Sequence, residues 1–250
     1  MTEHMDRRPL YCEASLAQYA RRAACLGLAF HALSYYEEDT GRQAEVTVSV
    51  DDEKCSVVLV DYAGCDMDSV ATLQRSLPKI LGVKEPLVRA LSCSEDAPEA
   101  LRYQGLAAML VEGFRRGVLD CLKRLSLLDR EYFYVAGWNG AYALGPGSER
   151  SVTLPSVPGV VFAHTHPDLC YPSAKDLYAF ADFLAGGGIA EFIVSPSCGL
   201  AIYLDEPLLE EDYWLIIDVG RCVARARDGA AYNECLSRLS RLRSAKLQLV

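Results

Sequence analysis

Two histidines one residue apart, at the end of an apolar run, are the part of this chain whose types and spacing could do chemistry. Val160-Val161-Phe162-Ala163 leads into His164-Thr165-His166-Pro167, and the whole chain holds four histidines. In a strand, residues i and i+2 point to the same side, so His164 and His166 can offer imidazole nitrogens to one ion while Thr165 faces away. Pro172 and Ser173 then read as a helix start. Asp176 falls in the first turn of a helix expected over 174–185, with Leu177, Phe180, Ala181 and Leu184 as its apolar stripe. Two imidazoles and one carboxylate suit a tetrahedral zinc with one position left to water, as a hydrolytic site requires. Ser173-x-x-Asp176 also reads as a capping box. That reading accounts for the serine and the aspartate but not for the histidines, and both can hold at once.

Counting removes other metal sites. His164-x-His166-x-Asp168 is followed by Leu169, and only His4 and His31 remain to supply the further ligands of a binuclear centre. The chain has no H-E-x-x-H and no C-x-x-C, which excludes thermolysin-like, zinc-finger and nucleobase-deaminase readings. What remains resembles the JAMM (MPN+) zinc metalloprotease family, in its short prokaryotic form. The family motif is an upstream Glu, then H-[S/T]-H-P, a loop, and S-x-x-D. His164-Thr165-His166-Pro167 and Ser173-Ala174-Lys175-Asp176 match it, with six residues between His166 and Ser173, one fewer than the family usually has. The resemblance covers roughly residues 129–205.

The family's Glu is assigned by position. Glu131 opens the apolar run Tyr132–Gly137, which turns at Asn139-Gly140 into Ala141–Leu144 in a hairpin pattern, and short members carry their Glu at the start of such a strand. Glu149, in a polar loop, is the reserve candidate, and Glu112 lies within a helical stretch. The resemblance implies metal ligands His164, His166 and Asp176 and catalytic groups Glu131 and Ser173. Glu131 would carry the proton of a zinc-bound water to the leaving amine, and Ser173 would hydrogen-bond the oxyanion. The implied substrate is an isopeptide or C-terminal peptide bond of a ubiquitin-like or sulfur-carrier protein. A non-catalytic MPN-like scaffold is the alternative. With only 32 residues between Glu131 and His164, there is little room for large insertions, so recognition should rest on the glycine-ended tail of one modifier, held by strand addition.

The expected fold class is α/β (α+β): a JAMM/MPN-like mixed β-sheet flanked by helices over residues 96–250, with a smaller α+β segment over 1–95. In that first segment, 13–36 reads as a helix, 44–50 and 55–62 as a hairpin, and 68–81 as a second helix. It carries no motif; substrate recognition, homo-oligomer formation and extension of the core are all open to it. Residues 99–128 read as one long helix, 189–194 and 200–204 as strands, and 221–250 as an amphipathic helix with a basic face. A net charge of −9 argues against nucleic acid as a partner. No apolar segment reaches transmembrane length, so a soluble cytoplasmic protein is expected. The ten cysteines stand in no framework spacing and are expected to be buried free thiols, with intracellular disulfides as the alternative.

Overall fold

In the computed structural model, which describes residues 12–50, 55–82, 88–97, 99–128, 130–147 and 158–250, the chain is a mixed α/β protein with two sheets that share one hydrophobic core. Helix α1 (Glu13–Thr40) joins them. Its sequence is rich in alanine, the best helix former, and residues 23–30 are buried without a break. A helix apolar all round must be enclosed, and α1 lies against strands of both sheets. A Cβ on Gly27 would fall 2.2 Å from Val160 and 2.8 Å from Trp138, so only glycine lets the helix approach the sheet this closely. Gly41, at φ 67°, ends it.

The smaller sheet has the order β1 (Glu45–Val50), β2 (Cys55–Val60), β3 (Val88–Ser94). The first pair is antiparallel, as the hairpin pattern predicts, although its turn residues 51–54 lie outside the described residues. Helix α2 (Met67–Ile80) makes the crossover to the parallel strand β3, and its first turn is capped by Asp66, which accepts from Asp68 N and Ser69 N. The boundary drawn at residue 95 parts the strands of the two sheets. It does not part the core, because α1 packs on α3 (Tyr103–Gly117) as well as on β1 and β2.

The larger sheet runs β5-β4-β6-β7-β8-β9, with β4 (Tyr132–Gly137), β5 (Tyr142–Pro146), β6 (Gly159–Thr165), β7 (Ala190–Val194), β8 (Gly199–Leu204) and β9 (Ala245–Leu249). Only β6 and β7 are parallel, joined by α5 (Ala174–Ala185). Tyr134, Ala163 and Phe192 form one row across the sheet and face α1 and α3: the Tyr134 hydroxyl donates to Leu16 O (3.0 Å), and Phe192 stacks on Phe114 at 3.6 Å. The alternate row, Val135, Phe162 and Glu191, faces α5, where Phe162 meets Phe183. Covered on both sides, β6 and β7 are buried along their whole length, as a parallel pair in the middle of a sheet should be.

Three expectations need correction. The stretch 99–128 is two helices, α3 and α4 (Leu119–Leu125), divided at Val118 (φ −124°), whose side chain is buried in the core. The basic stretch 221–250 is not one helix either. Helix α6 (Glu210–Val223) ends near its start, α7 (Gly229–Ser237) and a 3-10 turn follow, and the last residues form β9. The buried Asp212 carboxylate accepts from Arg243 N, Ser244 N and Ser244 Oγ at 2.8, 2.6 and 2.7 Å, which turns the chain toward β8. Finally, no cysteine is free: the pairs are Cys12–Cys121, Cys25–Cys55, Cys65–Cys93, Cys170–Cys198 and Cys222–Cys235. Their Cα separations of 5.6 to 6.1 Å lie in the bridging range. Tertiary packing alone brings such partners together, so spacing along the chain gave no sign of them.

Candidate metal centre

The carboxyl end of β6 and the start of α5 bring His164, His166 and Asp176 to one point. Their ligand atoms all lie within 4.8 Å of one another. The Nε2 atoms of the histidines are 3.1 Å apart, and Asp176 sets Oδ1 3.4 Å from His164 Nε2 and Oδ2 3.5 Å from His166 Nε2. An ion held tetrahedrally by nitrogen and oxygen at about 2.0–2.1 Å separates its ligand atoms by about 3.3 Å. The distance between the two nitrogens and that from each carboxylate oxygen to its nearer histidine are close to that figure, so these residues could hold a metal ion.

Each ligand is held from behind. The sheet continues past His164 as His166 N donates to Val194 O at 2.8 Å, which fixes the second histidine to the end of β7. His166 Nδ1 lies 3.1 Å from Leu169 O; a proton on Nδ1 leaves Nε2 with its lone pair toward the cluster. Asp176 belongs to the expected capping box: Ser173 N donates to Oδ2 at 2.6 Å and Asp176 N donates to Ser173 Oγ at 3.3 Å. The cap therefore orients the carboxylate as well as starting the helix. The loop between histidines and helix is pinned further by the Cys170–Cys198 disulfide and by Tyr232 Oη, which donates to Pro172 O at 2.8 Å. These ties fix the loop that leads from the histidines to Asp176.

The electrostatics demand positive charge at this point. Burial opposes a charge on His164, but Asp176 and Glu191 outweigh it and push the ring up to about 10. Burial and the neighbouring His164 lower His166 instead. Burial would raise Asp176, yet His164 and the Ser173 bonds hold it at about 2. A cation between the ligands would satisfy the carboxylate and leave both rings neutral.

A cleft of about 750 Å³ opens over the cluster, walled by Glu131, Phe162, Leu169, Tyr171, Ser173 and Tyr232 among others. Glu131 stands just before β4. Its carbonyl accepts from Gly147 N (2.7 Å), and the next residue, Tyr132, donates its N–H to Thr165 Oγ1 (2.8 Å). Thr165, the residue that faces away from the metal group, thus holds the strand that presents Glu131. Burial, opposed by His164 and reinforced by Asp176, raises the Glu131 carboxyl. Ser173 lines the same cleft. Glu149 lies outside the described residues, and Glu112 is engaged with Arg115 and Arg116 on an outer face of α3.

The sequence reading passed over Glu191, which is 1% exposed and sets Oε1 3.3 Å from His164 Nδ1. A lone carboxylate in the apolar run 189–194 was the signal available. Tyr171 and Tyr232, which pack edge to face at 6.3 Å in the cleft wall, carried no such signal. No protein-family model, no curated protein and no solved structure matches this chain.

Proposed function

We propose that the chain is a zinc-dependent hydrolase of JAMM type, acting on an isopeptide or C-terminal peptide bond of a ubiquitin-like or sulfur-carrier protein. The observation that carries this reading is the convergence of His164, His166 and Asp176 at the floor of an open cleft that also contains the partly buried Glu131. Two imidazoles and one carboxylate are a donor set suited to zinc and leave a coordination position for catalysis. Zinc there would polarise the substrate carbonyl and lower the pKa of a water it binds toward ~7.

The protein's own groups divide the remaining work. Glu131, its carboxyl raised by burial, is suited to take a proton from the attacking water near neutral pH and to return it to the leaving amine. Ser173 Oγ already accepts from Asp176 N, so its hydroxyl proton is left to donate to the developing oxyanion. The capping box sets the direction of that hydroxyl before substrate arrives. Among the described residues β5 is an edge of the larger sheet, next to the strand that follows Glu131, and would be the strand to pair with an extended tail.

A complete donor set beside an open cleft weighs against the non-catalytic scaffold. Metal analysis of the purified chain, followed by cleavage of linear fusions and isopeptide conjugates of ubiquitin-like proteins with and without chelator, tests the proposal. Cleavage lost with chelator and restored by zinc is expected. A stoichiometric metal with no cleavage of any such conjugate would favour the scaffold.

A further inference from the structure

Glu191 is the only charged residue in a strand buried from end to end. Its position opposite Phe162 sets it on the α5 face of the sheet, one step along β6 from His164. Neither of its oxygens has a hydrogen-bond partner, and neither does His164 Nδ1, although Oε1 and Nδ1 are 3.3 Å apart. A buried carboxylate without a partner is costly enough that an apolar residue would serve the core better. The two orphaned groups face each other, so a small ring rotation would join them.

The other histidine gives an internal comparison. His166 has its Nδ1 against Leu169 O and its Nε2 toward the cluster. His164 has the same arrangement with Glu191 in place of the carbonyl. Histidines that bind metal through one nitrogen ordinarily donate the other N–H to a carboxylate or carbonyl, which fixes tautomer and ring orientation and strengthens the ligand. Resting on the metal reading above, we infer that Glu191 is a positioning residue: it accepts the Nδ1 proton of His164 and holds Nε2 in line for the metal, without touching metal or substrate.

The test measures zinc affinity by competition with a chromophoric chelator, together with melting of the metal-free forms and long-range ¹H–¹⁵N spectra of the histidine rings. Glu191→Leu should bind zinc about 10- to 100-fold more weakly than the parent chain, while its metal-free form melts no lower. Glu191→Gln keeps an acceptor oxygen and should stay within about threefold of the parent. In the zinc-loaded parent, His164 should carry its proton on Nδ1. Should Glu191→Leu fail to fold, Glu191→Asp, whose carboxylate is drawn back by one methylene, takes its place with the same loss expected. Parent-like zinc affinity in Glu191→Leu, or in Glu191→Asp where that stands in, overturns the positioning role while leaving the metal site intact. Equal losses in Glu191→Gln and Glu191→Leu, with both metal-free forms melting well below the parent, assign Glu191 to the fold alone and overturn it too. No zinc binding by the parent chain overturns this inference and the metal reading together.

Discussion

Two buried carboxylates in this molecule stand in opposite conditions. Asp61, at the end of β2, is 1% exposed and fully engaged: Oδ2 accepts from Tyr36 Oη at 2.8 Å and from Arg42 Nη1 at 3.3 Å, and Oδ1 accepts from Ala63 N at 2.9 Å. Glu191, in β7, is equally buried and has no hydrogen bond at all. A satisfied polar cluster stabilises the fold and needs nothing further. In the second cluster the carboxylate of Glu191 and Nδ1 of His164 face each other without a hydrogen bond, beside three groups that could hold an ion. The difference separates, within one core, the polar groups that hold the N-terminal sheet to α1 from those gathered at the end of β6.

The largest effect is expected where the second cluster meets substrate. Glu131→Gln removes the proton carrier and no ligand, so zinc should stay bound while hydrolysis falls by about 10²- to 10⁴-fold. Retained hydrolysis there, with loss in Glu149→Gln, would transfer the role to Glu149. The next effect lies on the satisfied side. Asp61→Ala leaves the buried Tyr36 hydroxyl proton without an acceptor, while the half-exposed Arg42 keeps Gly64 O and solvent, and should cost about 1–3 kcal/mol by denaturant titration, with zinc affinity unchanged. If Asp61→Ala weakened zinc binding instead, the two clusters would be coupled and the contrast between them would fail.

A loss of similar order is expected at the bridge that ties the metal loop to the β7–β8 turn. Replacing Cys170 and Cys198 by serine opens a closed loop of 28 residues, which the chain-entropy relation puts at about 3.6 kcal/mol. Because Cys170 is one residue from Leu169, whose carbonyl faces His166, zinc affinity should fall with it. Loss of stability with unaltered zinc affinity would reduce the bridge to a staple of the fold.

The smallest effect concerns pH in the metal-free chain. The folded-state carboxyl of Asp176 is depressed to about 2, so its contribution is present above the ordinary value of about 4 and is lost as pH falls toward 2. His164 is raised to about 10, so its contribution is complete below about 6.5 and is lost as pH rises through 10. This pair therefore contributes most between about pH 4 and 6.5, and Asp176→Asn should make the decline on the acid side shallower. An unchanged profile in that variant would mean that Asp176 and His164 are not paired in solution.

The contrast also explains what the sequence could and could not reveal. Helix α5 is legible to its end residues because its capping box and apolar stripe are local, and the strand ends beside His164, His166 and Glu131 are legible through their apolar runs and the Asn139-Gly140 turn. Gly140, at φ 77°, is the residue that turn requires. Glu191 escaped because its meaning comes from a parallel neighbour, β6, reached only after the whole of α5. Strand β9 and the five disulfides escaped for the same reason: Asp212, in the first turn of α6, redirects a segment some thirty residues later, and Cys12 finds its partner at Cys121. Local pattern carries the ligands, and tertiary contact supplies what supports them.

The most direct measurement is the zinc content of the purified chain set beside that of a folded His164→Ala, His166→Ala, Asp176→Ala triple variant. About one zinc per parent chain, removed by chelator and regained on titration, and none retained by the variant at equal protein concentration, is the result expected from the convergence of these three groups. Undiminished zinc in the folded variant, or a parent chain that binds none under the same titration, would contradict it.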